Sequence, residues 1–156
     1  MASGDPIGPV LHATAVAIDG AALLLVGPSG SGKSDLAFRL IDAGAALIAD
    51  DRVELVDIGN VLCCRAPADV PAGLRGRIEL RGVGIVPVRT AVRAIPVQWL
   101  VKLVAPDAVE RLPEPELHML MGHAVPVLRI SAFESSAPAK LRLAVAQGPG
   151  LIMTRS

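Results

Sequence analysis

Short apolar runs broken by glycine and proline dominate this chain. Val10–Ile18 is rich in β-formers and leads into Asp19-Gly20, a hairpin turn pair, so one strand is expected there. Ala22–Val26 is an unbroken apolar run, the pattern of a strand buried on both faces. Asp35–Ala43 switches to helical spacing, with Leu36, Leu40 and Ile41 on one face. Gly44 stands where a helix C-terminal glycine belongs. Ala45–Ala49 reads as a second buried strand that ends on Asp50-Asp51. Val53–Asp57 and Val61–Arg65 flank Ile58-Gly59-Asn60 and read as a hairpin. Pro67–Gly76 reads as loop, and Arg77–Val88 alternates apolar residues with arginines and glycines. Val97–Val104 and Val125–Ile130 are later strands, while Pro106, Pro113 and Pro115 leave Ala105–Glu116 mostly loop. Ser136 as candidate cap and Pro138 in the first turn open a final helix to about Gln147, ended by Pro149-Gly150. Many strands with few helices predict an α/β fold with a mixed sheet rather than a regular alternation.

Composition narrows the function classes. A length of 156 residues implies one domain, 1–156, large enough for its own core. Lys and Arg number 15 against 15 Asp and Glu, and aromatics are 2%, which excludes a basic, base-stacking nucleic-acid surface. The chain is 52% apolar, with a mean hydropathy of +0.54. Yet its apolar runs fall short of the roughly 20 residues a membrane-spanning helix needs. Residues 1–6 lack the basic and apolar regions of a secretory leader. The apolar excess therefore predicts a dense core or a buried interface in a homo-oligomer. Cys63 and Cys64 are adjacent and too close for an ordinary disulfide, so they are expected to be reduced, buried and cytoplasmic.

The clearest chemistry lies at Gly27, Pro28, Ser29, Gly30, Ser31, Gly32, Lys33 and Ser34. This run matches the phosphate-loop pattern G-x-x-x-x-G-K-[ST] in full. It follows a predicted buried strand and precedes a predicted amphipathic helix, the context the motif requires. Its glycines let a ring of backbone N–H groups close on phosphate oxygens at a helix N-terminus. Lys33 is the point charge for the β- and γ-phosphates, and the Ser34 hydroxyl is suited to Mg²⁺. Nucleoside triphosphate binding follows. The motif leaves open an NTPase, a small-molecule kinase or a protein kinase.

Asp50 and Asp51 end the strand after the phosphate-loop helix, at the edge where the loop opens. One carboxylate is suited to Mg²⁺ and the other to accepting a proton from an incoming hydroxyl. Adjacent residues of a strand point to opposite faces, so a turn is needed to bring both inward. His12 lies in the first strand and reaches the same crevice if that strand neighbours the loop strand. The i, i+5 spacing of His118 and His123 is poor for a shared metal on a helix face. Arg75, Arg77, Arg81, Arg89 and Arg93 form a basic stretch with Glu79 inside it. That stretch reads either as a solvated face or as a loop at the phosphate site.

Together these residues resemble the catalytic domain of HPr kinase/phosphorylase, a bacterial enzyme family that phosphorylates a serine of the phosphocarrier protein HPr. The motifs that carry the resemblance are His12, the loop Gly27–Ser34, Leu47-Ile48-Ala49-Asp50-Asp51, Ile78–Ile85 and Glu110-Arg111-Leu112. The resemblance implies a P-loop domain related to phosphoenolpyruvate carboxykinase, often assembled as a hexamer. It implies ATP and Mg²⁺ as cofactors and an HPr-type protein as substrate. It also makes Asp51, with Asp50 beside it, the base, Glu79 a second Mg²⁺ ligand beside Ser34, and His12, Lys33 and Arg111 active-site residues. The chain looks like the short proteobacterial form, which lacks the family's separate N-terminal domain. Ala13 and Pro113 replace family glycines, and Val127–Phe133 replaces an arginine-rich stretch tied to dephosphorylation. The resemblance therefore implies the kinase reaction and does not extend to the phosphorylase one. A small-molecule kinase and a non-catalytic ATP-sensing module stand as alternatives.

Overall fold

In the computed structural model, which describes residues 8–152, the first apolar run divides. β1 (Val10–Leu11) and β2 (Thr14–Ile18) are separate strands, where one continuous strand was expected. The break at His12 and Ala13 is a change of partner. Leu11 faces Val53, whereas Thr14 faces Leu25 on β3 (Ala21–Val26). Asp19 and Gly20, with φ of 49° and 79°, form the turn that joins β2 to β3. Residues 1–6, read above for a leader, lie outside the described residues.

After the phosphate loop comes α1 (Lys33–Asp42), then β4 (Ala46–Ala49). The helix begins two residues before the expected Asp35, because Gly32 is its N-cap and the motif's own Lys33 and Ser34 form its first turn. β5 (Val53–Ile58) and β6 (Val61–Arg65) close through Gly59 and Asn60, with φ of 58° and 66°. β7 (Arg77–Leu80) and β8 (Gly84–Pro87) form a separate two-stranded sheet. β9 (Ile95–Leu103) begins two residues before the expected Val97. β10 (Leu117–Leu120) was not anticipated. It pairs with β11 (His123–Ile130) through a turn at Met121 and Gly122, where φ is 49° and 77°. Nothing in Leu-His-Met-Leu is β-branched, and a non-glycine residue supplies half of the turn, so the pattern gave no warning. α2 (Ala137–Gln147) closes the described chain, but the candidate cap Ser136 makes no side-chain capping bond.

The main sheet runs β1-β5-β6-β9-β3-β2-β4, with β11 also on β9 and β10 beyond it. β9 is parallel to β3 and to β11, while the other pairs are antiparallel, so the sheet is mixed. β9 is long enough to change neighbours along its length. Ile95 and Pro96 pair with β6, and Leu100–Leu103 pair with β11. One face buries Val16, Leu23, Leu25 and Val101 against Leu36 and Leu40 of α1 and Leu141 of α2. The other buries Ala15, Ala22, Leu24 and Leu100 with Leu55, Leu62 and Cys64. The period-2 split of the β3 leucines explains why that strand is apolar throughout. Ile78, 1% exposed, anchors the β7–β8 hairpin in the helix-side core, a burial worth about 1.5–3 kcal/mol. Both cysteines are free and buried. Among the described residues no helix is long and apolar enough to cross a membrane.

Candidate active site

The phosphate loop leaves the C-terminal end of β3 and closes on itself. Ser31 N–H donates to the Pro28 carbonyl, and Leu36 N–H to the Gly32 carbonyl. A Cβ on Gly27 would stand 2.6 Å from Ser31 Oγ, so only glycine fits that crossing. The N–H groups of the first α1 turn have no acceptor inside the helix and are left for an anion. Lys33 is buried, and its Nζ donates to the carbonyls of Gly27 at 2.7 Å and Pro28 at 3.2 Å. Those bonds hold the ammonium on the inner side of the loop.

The acid pair sits beside this loop. Ser34 Oγ donates to Asp50 Oδ1 at 2.8 Å, and Thr14 Oγ1 donates to the same oxygen at 2.9 Å. The Asp51 N–H in turn donates to Thr14 Oγ1 at 3.2 Å, and the Asp51 carbonyl accepts from Ala13 N–H at 3.2 Å. Held at both ends, Asp51 adopts a left-handed φ of 73°, which costs a non-glycine residue roughly 1–2 kcal/mol. That conformation is the turn the adjacent acids needed. It brings Asp51 Oδ1 to 3.3 Å from His12 Nε2, with both side chains open to solvent. The break between β1 and β2 places His12 and Thr14 at the two carboxylates. Thr14 was missed by reading the sequence. Its only signal is a hydroxyl at a fully buried strand position among alanines and valines.

Beside the acids lies a cleft of about 600 Å³. Asp50, Asp51 and Glu79 line it together with apolar walls that include Leu74, Ile85 and Val92. The β7–β8 hairpin reaches the cleft because its exit strand zips to β4: Leu47 N–H donates to the Arg89 carbonyl and Ala91 N–H to the Leu47 carbonyl. Glu79 therefore shares the cleft with the acids, although no hydrogen bond joins it to Ser34 among the described residues. The basic stretch divides between roles. Arg75 donates to the carbonyls of Ala68 and Val70 and Arg89 to that of Ala45, while Arg77 lines the cleft. Arg52, which lines the cleft, pairs with Asp69 at 3.1 Å. Arg111 is not brought to the cleft. It stands exposed on the loop that follows β9, with no bond to the other candidate residues among those described.

Among the described residues no three of His, Cys, Asp and Glu converge as a ready-made metal set. In nucleotide sites Mg²⁺ keeps several waters and takes one or two carboxylates plus phosphate oxygens. Ser34 and Asp50, already 2.8 Å apart, are the residues that would hold it. Away from the cleft, His123 Nε2 meets Asp57 Oδ2 at 2.6 Å, and that hydrogen bond lowers the Asp57 pKa. His118 lies opposite Val125 and His123 opposite Leu120 on the hairpin.

The comparisons with known proteins agree with one another. A family model described as the HPr serine kinase C-terminal domain matches residues 8–132. The HPr kinase/phosphorylase of Clostridium beijerinckii is 40% identical over 80 residues, covering 51% of this chain and 25% of its own. That of Acidovorax sp. is 35% identical over 131 residues, covering 77% of this chain and 40% of its own. The chain thus spans well under half the length of these curated relatives. Among solved structures, the HPr(Ser) kinase/phosphatase of Coxiella burnetii superposes with a TM-score of 0.75 at 25% identity, covering 89% of both chains.

Proposed function

The chain belongs to the HPr serine kinase C-terminal domain family, and we propose that it is a Mg²⁺-dependent ATP:protein phosphotransferase acting on a serine of an HPr-type phosphocarrier protein in the cytoplasm. The observation that carries this reading is the bond between the phosphate-loop serine and the first acid, with the second acid turned toward the cleft. A nucleotide sensor needs the first of these features and has no use for the second.

In the proposed reaction the loop amides and Lys33 bind the triphosphate. Ser34 and Asp50 would hold Mg²⁺, with Glu79 in the adjoining cleft, and the ion would neutralise phosphate charge when bound. The acceptor serine enters from the apolar cleft. Asp51 accepts its hydroxyl proton as the serine oxygen attacks the γ-phosphorus and the bond to the β–γ bridging oxygen breaks. His12 orients the Asp51 carboxylate. Arg111, on the loop that leaves β9 at the same sheet edge as the phosphate loop, is assigned to stabilising charge on the transferred group. Self-association is part of the proposal, since Leu117 and Met119 on β10 are 65% and 61% exposed. Light scattering tests it.

The decisive experiment is transfer from labelled ATP with Mg²⁺ to the HPr-type protein of the same organism, with the labelled residue mapped by mass spectrometry. Label on one serine, reduced about 10²–10⁴-fold by Asp51→Asn, is the expected result. ATP binding without label on that protein would overturn the acceptor assignment.

A further inference from the structure

We propose that Phe133 is the platform on which the nucleotide base stacks. This inference rests on the reading of the phosphate loop as a nucleotide site, and it adds the half of the nucleotide that the loop does not hold.

Phe133 reaches the loop through the sheet. β3, β9 and β11 run parallel, so their C-terminal ends share one edge. The phosphate loop leaves that edge from β3, and the turn carrying Phe133 leaves it from β11. In open parallel sheets this crevice is where ligands lie. The contact is direct. A Cβ built on Gly32 would meet Ala132 Cβ at 2.8 Å and the Phe133 ring at 3.1 and 3.2 Å. The last glycine of the motif is therefore bare on the side where the ring rests.

The ring is 67% exposed in a chain with two phenylalanines and one tryptophan. The other phenylalanine, Phe38, packs against the core. Phe133 is nonetheless held in place. Arg39 of α1 donates to the carbonyls on either side of it, those of Ala132 and Glu134, and its Nε pairs with Asp35 at 3.0 Å. Lys140 of α2 fixes Glu134 at 3.0 Å. Two helices thus clamp the backbone around one exposed aromatic, next to the N–H groups that take phosphate. Aromatic stacking accepts any base, because every base presents a π-face. The chain also lacks an Asn-Lys-x-Asp base-reading motif, so this platform implies ATP and GTP binding within a few-fold of each other.

The test compares Mg·ADP with Mg·tripolyphosphate, which has phosphates and no base, by calorimetry on the intact chain. Phe133→Ala is expected to weaken ADP about ten- to a hundredfold and leave tripolyphosphate unchanged. Phe133→Trp should restore ADP binding, and its emission should be quenched by ADP and not by tripolyphosphate. Trp99, 4% exposed, supplies a constant background. Equal weakening of both ligands would show that the side chain only shapes the loop and would overturn the proposal. So would unchanged ADP binding, or a change confined to the assembly state in light scattering. A wild-type chain that binds neither ligand would remove the nucleotide site itself. Tripolyphosphate binding without any gain from a base would remove only the platform.

Discussion

One hydroxyl organises the acid pair. Thr14 donates to Asp50 and accepts from the Asp51 main chain, while fully buried between β3 and β4. Bonds to a charged group are worth about 1.5–3 kcal/mol, and a buried carboxylate that loses one donor turns to others. Thr14→Val keeps the shape and removes the hydroxyl. It should lower kcat about tenfold or more with the ATP KM little changed, and Thr14→Ser should recover most of the rate. Steady-state kinetics of the pair would decide it; equal loss in both variants would mean that packing, not the hydroxyl, matters. A second residue-level expectation concerns Gly32. Its φ of 94° and the 2.8 Å approach to Ala132 leave no room for a methyl group. Gly32→Ala should abolish tripolyphosphate binding, and unaltered binding would refute that. The loop motif and both aspartates were legible in the sequence because their spacing is local. Thr14 was not, because its partners are 36 and 37 residues away and only the β2–β4 register brings them together.

At the scale of elements, the local signals marked strands well and their partners poorly. The Asp-Gly and Gly-Asn turns identified two hairpins. The split of β1 from β2 and the start of β9 follow from which strand lies alongside, which no short window contains. The β10–β11 hairpin shows how side chains supply what propensity lacks. Glu116, just before β10, binds Arg129 of β11 at 2.9 Å and Lys102 of β9 at 3.3 Å. These partners, Arg129 foremost, lower its pKa from 4.5 to about 2. A depressed carboxylate stabilises the fold above its unfolded pKa and loses that contribution as pH falls through the folded value. Glu116→Gln should therefore lower Tm at pH 7. The gap to wild type should close as pH falls from about 4.5 toward 2. Thermal melts across that range would show it, and a gap independent of pH would mean that the ion pairs carry none of the difference. On β6, burial pushes the Cys64 thiol up to about 12. A native chain should accordingly leave Cys64 unalkylated by iodoacetamide at pH 8, and rapid labelling would contradict that burial.

The whole molecule separates two approaches to one pair of acids. From the sheet edge come the loop, Lys33 and the clamped turn after β11. Beside them, the hairpin β7–β8, the 67–76 loop and the segment after Thr90 wall the cleft that Asp50 and Asp51 also line. The division arises from topology, because β4 ends between the loop that leaves β3 and a hairpin that is not part of the main sheet. The sequence showed both sets of residues and could not show that they meet at Asp50 and Asp51. If the acceptor enters by the cleft, the two substrates can be disturbed independently. Leu74→Asp and Val92→Asp place a charge on exposed apolar positions of the cleft, 47% and 98% exposed, so neither endangers the core. Each should raise the KM for the protein acceptor about tenfold and leave the ATP KM unchanged, since burying an unpaired charge against an apolar partner is costly. Lys33→Ala should do the reverse, losing triphosphate affinity while acceptor binding, measured without nucleotide, is retained. If the cleft variants instead weaken ATP and spare the acceptor, the cleft holds the nucleoside. In that case the protein substrate must approach over the phosphate loop.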